Sequence, residues 1–294
     1  MATNRKKKKV LGKVSAVFRL ARKSFWGRGW KTVFWVAGAA LAITFVSFSF
    51  IIFLLAKNLP SGTNLDERKI NQSTKIYDRA GKVLMYEIHT GENRTVVPLS
   101  NVPQFLKDAT VATEDENFYK EPGFSWTAIM RALVVNALHG KILQGGSTIT
   151  QQLAKNAFLS SDQTFSRKLK EFLLAIKLNR RYSKDEILSL YLNQIPYGPT
   201  AYGVEAASKL YFKKSVGGLD LAEAALLAAL PRAPSYYSPW GNHVKELLGR
   251  KNYVLQRMHK LGKINEKELT AALAKKIEFA PRAATGIQAP HFVE

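Results

Sequence analysis

Residues 166–193 read SRKLKEFLLAIKLNRRYSKDEILSLYLN. Apolar side chains recur at spacings of three and four through both halves, the period of a helix with one buried face, whereas a strand would alternate by two. Between the halves Ser183 stands three residues before Glu186, the pattern of a capping box that starts a second helix. The stretch therefore predicts two amphipathic helices joined by a short turn. On the first, Leu169, Phe172, Leu173 and Ile176 form the expected packed face, and Arg167 and Glu171, four apart, are neighbours on one side. As a surface ion pair the two would add a fraction of a kcal/mol. As a functional pair, they are a carboxylate held by an arginine beside a developing negative charge.

The same periodicity extends outward in both directions. It runs through PQFLKDATVATEDENFY (103–119), SWTAIMRALVVNALHG (125–140), YGVEAASKLYF (202–212), DLAEAALLAALP (220–231) and HVKELLGRKNYVLQRMHKLG (243–262). Upstream the pattern changes: TKIYDRAGKVLMYEI (74–88) alternates about an Ala80-Gly81 turn, and NRTVVPL (93–99) follows, which reads as short strands. The expected organisation is a stalk and small β element over 57–102, a helical catalytic domain over 103–245, and C-terminal helices and a connector over 246–294.

Charge and hydropathy define what precedes the stalk. The formal charge is +22, and residues 1–31 carry eleven Lys and Arg with no acid. Residues 32–56 then run uncharged, about 37 Å at helical rise, enough to cross a bilayer with some tilt. This predicts a basic cytoplasmic tail over 1–31 and one uncleaved transmembrane helix over 32–56, with the rest of the chain outside the cytoplasmic membrane by the positive-inside rule. The basic head is explained as an orientation signal against anionic lipid, so no nucleic-acid partner is expected. There is no cysteine, which excludes a disulfide scaffold and a thiol nucleophile. The five histidines are scattered without HExxH spacing, and no GxxxxGK[ST] is present, so neither a zinc centre nor a nucleotide P-loop is expected.

Two polar segments stand out against the apolar helices. ATEDENFY (112–119) ends a helix on Glu114, Asp115 and Glu116, three acids whose mutual repulsion would raise at least one pKa and suit proton abstraction near neutral pH. An acidic helix end is also an ordinary solvated face. GGSTITQQLAKN (145–156) passes from two glycines through Ser147 and Thr148 into a helix, the composition of a backbone cradle for an anion. One candidate base, a second carboxylate and cations from separate elements, Lys155 and Arg167, suit transfer of a sugar from a diphosphate better than glycoside hydrolysis. A hydrolase needs an acid to protonate its leaving group; a diphosphate leaves without one, given positive charge beside it.

These segments, with RKLKEFLLAIKLNRRYSKDEILSLYLNQIPYG, AYGVEAASKLYF and LAEAALLAALPRAPSYYSP, resemble in order and spacing the signature motifs of the peptidoglycan glycosyltransferases (family 51), the polymerising domain of class A penicillin-binding proteins and of monofunctional transglycosylases. The resemblance covers about residues 76–239. It implies a mainly α fold in which a single N-terminal transmembrane helix precedes a lysozyme-like, mostly helical domain with a small β element. It also implies polymerisation of lipid II into β-1,4-linked glycan, with inversion at the N-acetylmuramic acid anomeric carbon and release of undecaprenyl pyrophosphate.

By position in those motifs, Glu114 is implied as the catalytic base and Glu171 as the second acid. Asp115, Phe118, Thr148, Gln152, Lys155, Asn156, Arg167 and Asn193 are implied to bind substrate. No covalently bound cofactor is expected; Asp115 or Glu171 would hold a hydrated Mg²⁺ or Mn²⁺ if one assists at the phosphates. The implied partners are lipid II and the growing strand, membrane lipid, and proteins of a wall-building complex. One departure from the family pattern is Glu121, which stands where EDxxFxxHxG has histidine. The 124–143 stretch reads either as core or as a membrane-contacting face. The final GIQAPHFVE (286–294) resembles the connector toward a transpeptidase domain, so a continuing bifunctional chain is expected. A lysozyme-like glycan hydrolase and a non-catalytic membrane-anchored scaffold are the alternatives.

Overall fold

A computed structural model describes residues 30–47, 49–50, 53–54, 57, 59, 74–77, 79, 84–88, 93–125, 130–131, 134–135, 138, 146–159 and 164–282. The chain divides into two compact units, Met1–Leu59 and Pro60–Glu294. The first contains the helix Trp30–Ser47, 18 residues with a mean hydropathy of 1.4, long and apolar enough to cross a membrane. Its side chains are exposed, and the Thr44 hydroxyl donates to the Ala40 carbonyl at 2.7 Å, so that polar group is satisfied within the helix, as an apolar surrounding requires. The basic tail, most of the stalk and the GIQAPHFVE segment lie outside the described residues.

The second unit is mostly helical. Its β element is small: β1 (Thr74–Tyr77) and β2 (Leu84–Ile88) form an antiparallel hairpin in the register Thr74↔Ile88, with an irregularity between Ile76 and Tyr77. β3 (Asn93–Arg94) pairs in parallel with β4 (Ala201–Tyr202), more than 100 residues later. The alternation over 74–88 had indicated the hairpin; nothing local indicated the second pairing.

Among the described residues of the body, eight helices follow. They are α1 (Gln104–Glu114), α2 (Ile149–Phe158), α3 (Phe165–Arg181), α4 (Lys184–Gln194), α5 (Val204–Phe212), α6 (Leu221–Ala229), α7 (Val244–Lys260) and α8 (Glu266–Ala274). The opening stretch is α3 and α4, and Ser183 makes the expected capping box with Glu186. The packed face of α3 differs from the reading. Leu174, Ala175 and Leu178 are fully buried together with Glu171, whereas Leu169, Phe172, Leu173 and Ile176 are only half-buried. The helix is turned so that its acid lies inside, which its two cationic neighbours make tolerable.

At the centre lies α6, LAEAALLAA, buried from Ala222 to Ala229 and packed against α1 and α7. Its alanines permit close helix approach on several sides, and Asp220 starts it by accepting from the Ala222 and Glu223 N–H groups at 2.9 and 3.1 Å. α7 packs on α6 and α1, and α8 on α7. Arg257 of α7 donates to the Ala112 carbonyl at 3.3 Å and pairs with Glu116. Further on, the Ala280 N–H donates to the Tyr211 carbonyl and the Trp240 indole to the Ala280 carbonyl, each at 2.8 Å.

The expected division lies between residues 245 and 246. It falls in the first turn of α7, and the chain to Ala280 belongs to the helical body. An amphipathic helix that docks on a domain and one that leads out of it have the same sequence period, so periodicity alone did not separate them.

Candidate active site

The site is organised around the start of α2. Thr148 caps that helix: its hydroxyl accepts the Gln151 N–H at 3.2 Å and donates to the Gly123 carbonyl at 2.7 Å. The Gln151 side chain accepts the Thr148 N–H at 3.1 Å, which completes a capping box. Next in sequence, the Ile149 N–H donates to Asp115 Oδ2 at 3.2 Å. A carboxylate of the chain itself thus lies at this positive helix end.

Ser147 and Gln152 of the segment reach other elements. Ser147 accepts from Lys168 of α3 at 2.6 Å. Gln152 donates from Nε2 to Glu114 Oε2 at 2.7 Å and accepts the Tyr191 hydroxyl of α4 at 3.1 Å. A chain of hydrogen bonds therefore runs Tyr191, Gln152, Glu114. Burial first, and then the Glu114 charge, push the Tyr191 and Tyr197 phenols well above their ordinary pKa. Both stay neutral, so Tyr191 keeps its proton to donate. The sequence reading missed both tyrosines, because an aromatic residue at helical spacing looks like core; their place beside Glu114 is visible only once α1 and α4 are brought together.

The three adjacent acids do not face the same way. Glu114 turns to Gln152, Asp115 to the Ile149 N–H, and Glu116 to Arg257. The raised pKa belongs to Asp115, pushed up to about 6 by burial, with the Glu121 charge adding to the rise and the Ile149 N–H and Lys184 opposing it.

Glu171 is 1% exposed. Its carboxylate lies 2.7 Å from Lys168 Nζ and 3.4 Å from Arg167 Nε. The pair is therefore no surface ornament: a lone buried carboxylate here would be strongly destabilising, and two cations hold it. Lys155 and Asn156 are exposed on the last turns of α2, and α2 packs directly on α3.

Three residues assigned to substrate binding by position in the motifs have buried side chains with partners inside the fold. Phe118 is 1% exposed, edge-on to Tyr119 and 4.8 Å beneath Lys184 Nζ. Thr148 is buried as the cap just described. Asn193 clips the chain before α1 to α4: it accepts the Val97 N–H and donates to the Val97 carbonyl, both at 2.9 Å, and donates to the Ser189 carbonyl at 2.8 Å. Against that clip lies Gly203 at φ 82°, where a Cβ would meet the Asn193 carbonyl oxygen at 2.7 Å. Their signals were motif positions, and a buried polar clip is indistinguishable from a ligand contact until its partner, 96 residues away, is known.

Asp115 accepts a backbone N–H, Glu171 is shared by Arg167 and Lys168, and among the described residues no three acids or histidines converge.

Of the 124–143 stretch only residues 124–125, 130–131, 134–135 and 138 are described, and Met130, Val134 and Leu138 present exposed apolar side chains at helical spacing. Trp126 and Lys141 lie outside the described residues.

A model of the transglycosylase family matches residues 81–259. Penicillin-binding protein 1A of Aquifex aeolicus is 44% identical over 245 residues, 83% of this chain and 33% of that protein. Penicillin-binding protein 1A of Pseudomonas aeruginosa is 38% identical over 266 residues, 90% of this chain and 32% of that protein. The chain thus spans about a third of the length of these curated relatives. A crystal structure of penicillin-binding protein 1A from Haemophilus influenzae aligns with 29% identity and a TM-score of 0.44, covering 76% of this chain and 23% of that one.

Proposed function

Because this chain belongs to the transglycosylase family, we propose that it is a peptidoglycan glycosyltransferase that polymerises lipid II into β-1,4-linked glycan. The observation that carries the reading is the Glu114 carboxylate at the end of α1, half-buried and oriented through one oxygen by the Gln152 amide. Its other oxygen is the base. It takes the proton from the 4-hydroxyl of the acceptor's N-acetylglucosamine as that oxygen attacks the anomeric carbon of the donor's N-acetylmuramic acid. The bond from that carbon to the pyrophosphate breaks on the opposite face, the electron pair leaves with undecaprenyl pyrophosphate, and the α-linked donor becomes a β-link.

Negative charge grows on the departing phosphates. Lys155, exposed on α2, and Arg167, held by Glu171 on α3, are the cations that meet it; fixed charges that need no reorganisation are the efficient way to stabilise such a leaving group. Asn156 stands beside Lys155 on the exposed turn and reaches the same ligand, while Asp115, Phe118, Thr148 and Asn193 act by holding the elements in place. Lys168, bridging Ser147 and Glu171, holds the loop before α2 against this cluster. The basic head lies in the cytoplasm, the helix of Trp30–Ser47 crosses the membrane, and the catalytic unit works on its outer face where the lipid-linked substrate is presented. Growing glycan, membrane lipid and wall-building proteins are its partners.

Labelled lipid II given to the detergent-solubilised protein tests this reading. Long glycan chains are expected; shortening of preformed glycan would make the protein a hydrolase, and no reaction at all would leave a scaffold.

A further inference from the structure

The loop between Glu114 and Gly123 carries the acids of the site, and the first two residues of α4 hold it. The Tyr119 hydroxyl donates to Asp185 Oδ1 at 3.1 Å. Beside it, Lys184 Nζ donates to the Glu121 carbonyl oxygen at 2.5 Å and to Asn179 Oδ1 at 2.7 Å, and lies 4.8 Å from the centre of the Phe118 ring. Lys184 is fixed where it is because Ser183 and Glu186 cap the helix it opens. Behind the same loop, Glu121 Oε2 is buried with no hydrogen-bond partner. A buried carboxylate oxygen without a donor is costly unless an opposite charge lies near. Lys184 supplies that charge: its ammonium is the electrostatic neighbour of both Glu121 and Asp115, and Glu121 and Asp115 repel each other.

We propose that Lys184 is a positioning residue, which locks the 115–123 loop onto α4 by bonding the Glu121 carbonyl and neutralising the half-buried Glu121 carboxylate, one oxygen of which has no donor. The consequence reaches the chemistry by a short route. Asp115 and the Gly123 carbonyl, at the two ends of the loop, are the groups that hold Ile149 and Thr148 at the start of α2, and α2 in turn presents Gln152 to Glu114. Gly123 leaves little freedom at its end: at φ 91°, a Cβ there would meet the Ala175 carbonyl oxygen at 2.8 Å. A loop released from α4 therefore loosens the start of α2 and, with it, the Gln152 contact that orients the base, while Arg167 on α3 keeps its own hold on Glu171. Lys184 is needed most where position 121 carries a negative charge, as it does in this chain.

A double-mutant cycle tests the coupling, with wild type, Lys184→Met, Glu121→Gln and the double variant followed by thermal unfolding and by initial rates of lipid II polymerisation. Lys184→Met alone is expected to lower Tm and to reduce kcat about tenfold or more with KM within about threefold. In the Glu121→Gln background the same substitution is expected to cost about a third or less of that loss, in both readouts, since the charge it neutralised is gone and only its hydrogen bonds are lost. Equal losses in the two backgrounds, or a rise in KM with kcat unchanged, overturn the proposal. If Lys184→Met does not fold, the double variant is expected to fold, and its failure to do so counts against the coupling. The kinetic readout rests on the proposed activity, whereas the Tm cycle does not: a wild-type protein that makes no polymer defeats the activity and leaves the coupling to be decided by unfolding.

Discussion

Asp115 and Glu114 are adjacent, yet their surroundings give them different work. Both are half-buried, but Glu114 keeps one oxygen clear of its Gln152 partner, whereas Asp115 accepts the Ile149 N–H at the start of α2, with its proton affinity raised. Replacing Glu114 by Gln preserves volume and fold but removes the proton acceptor, so turnover should fall by about two to four orders of magnitude while Tm stays near that of wild type. Near-normal polymer yield would remove Glu114 from its role. For Asp115 the effect is on stability. Its folded pKa of about 6 lies above the ordinary 3.8, so the folded protein binds this proton more tightly, and the group's contribution to stability is greatest below about pH 4 and is lost as pH rises through about 6. Asn at this position keeps an acceptor for the Ile149 N–H and cannot ionise. Asp115→Asn should therefore melt above wild type at pH 7.5, with the gap closing toward pH 4; a gap that does not change with pH contradicts the burial argument. The sequence showed that an acid cluster ends α1, but not which acid turns inward, because that choice depends on Gln152, Ile149 and Arg257, each from another element.

At the scale of the element, α2 shows how far pattern reading reaches. Its start at Thr148, its capping box and its exposed Lys155 follow from GGSTITQQLAKN alone, since caps and period are local. What the first turn binds does not follow, because Asp115 comes to it from 34 residues away and takes the place an external anion would have. Thr148→Ala removes the cap and the tie to Gly123 together and should cost about 1–2 kcal/mol in urea unfolding, whereas Thr148→Ser should keep most of it. An alanine variant as stable as wild type would mean that the hydroxyl holds nothing. The cations divide similarly. Lys155 is exposed, so Lys155→Ala should leave Tm unchanged and lower kcat on the order of a hundredfold, more than it raises KM, if charge on the leaving group is what the residue meets. Arg167→Ala should lower kcat and Tm together, because Glu171 then stays buried with Lys168 as its single cation. A Lys155→Ala enzyme with raised KM and unchanged kcat would make that residue a substrate grip and refute its part in the leaving-group step.

Across the whole molecule, the order of helices was legible and their assembly was not. The described helices up to α7 carry their period in the sequence, but the parallel pairing of β3 with β4 and the docking of α7 are contacts between distant segments. The docking of α7 has the larger consequence, because it sets what a minimal catalytic unit must contain. Leu247, Val254, Leu255 and Met258 of α7 are fully buried, and burying four such side chains is worth about 6–12 kcal/mol, as much as the whole net stability of an ordinary domain, roughly 5–15 kcal/mol. Their removal would also uncover α6, which apart from Glu223, paired with Lys214, is apolar and has no polar face to turn to water. Arg257 would no longer hold the C-terminal end of α1, where Ala112 and Glu116 flank Glu114. A fragment of residues 60–242 should therefore fail to fold, giving no cooperative melt and rapid proteolysis, while residues 60–282 should melt as one unit and retain polymerisation in detergent with weakened capture by lipid vesicles. A cooperative, active 60–242 fragment would show that α7 is an appendage to the catalytic unit.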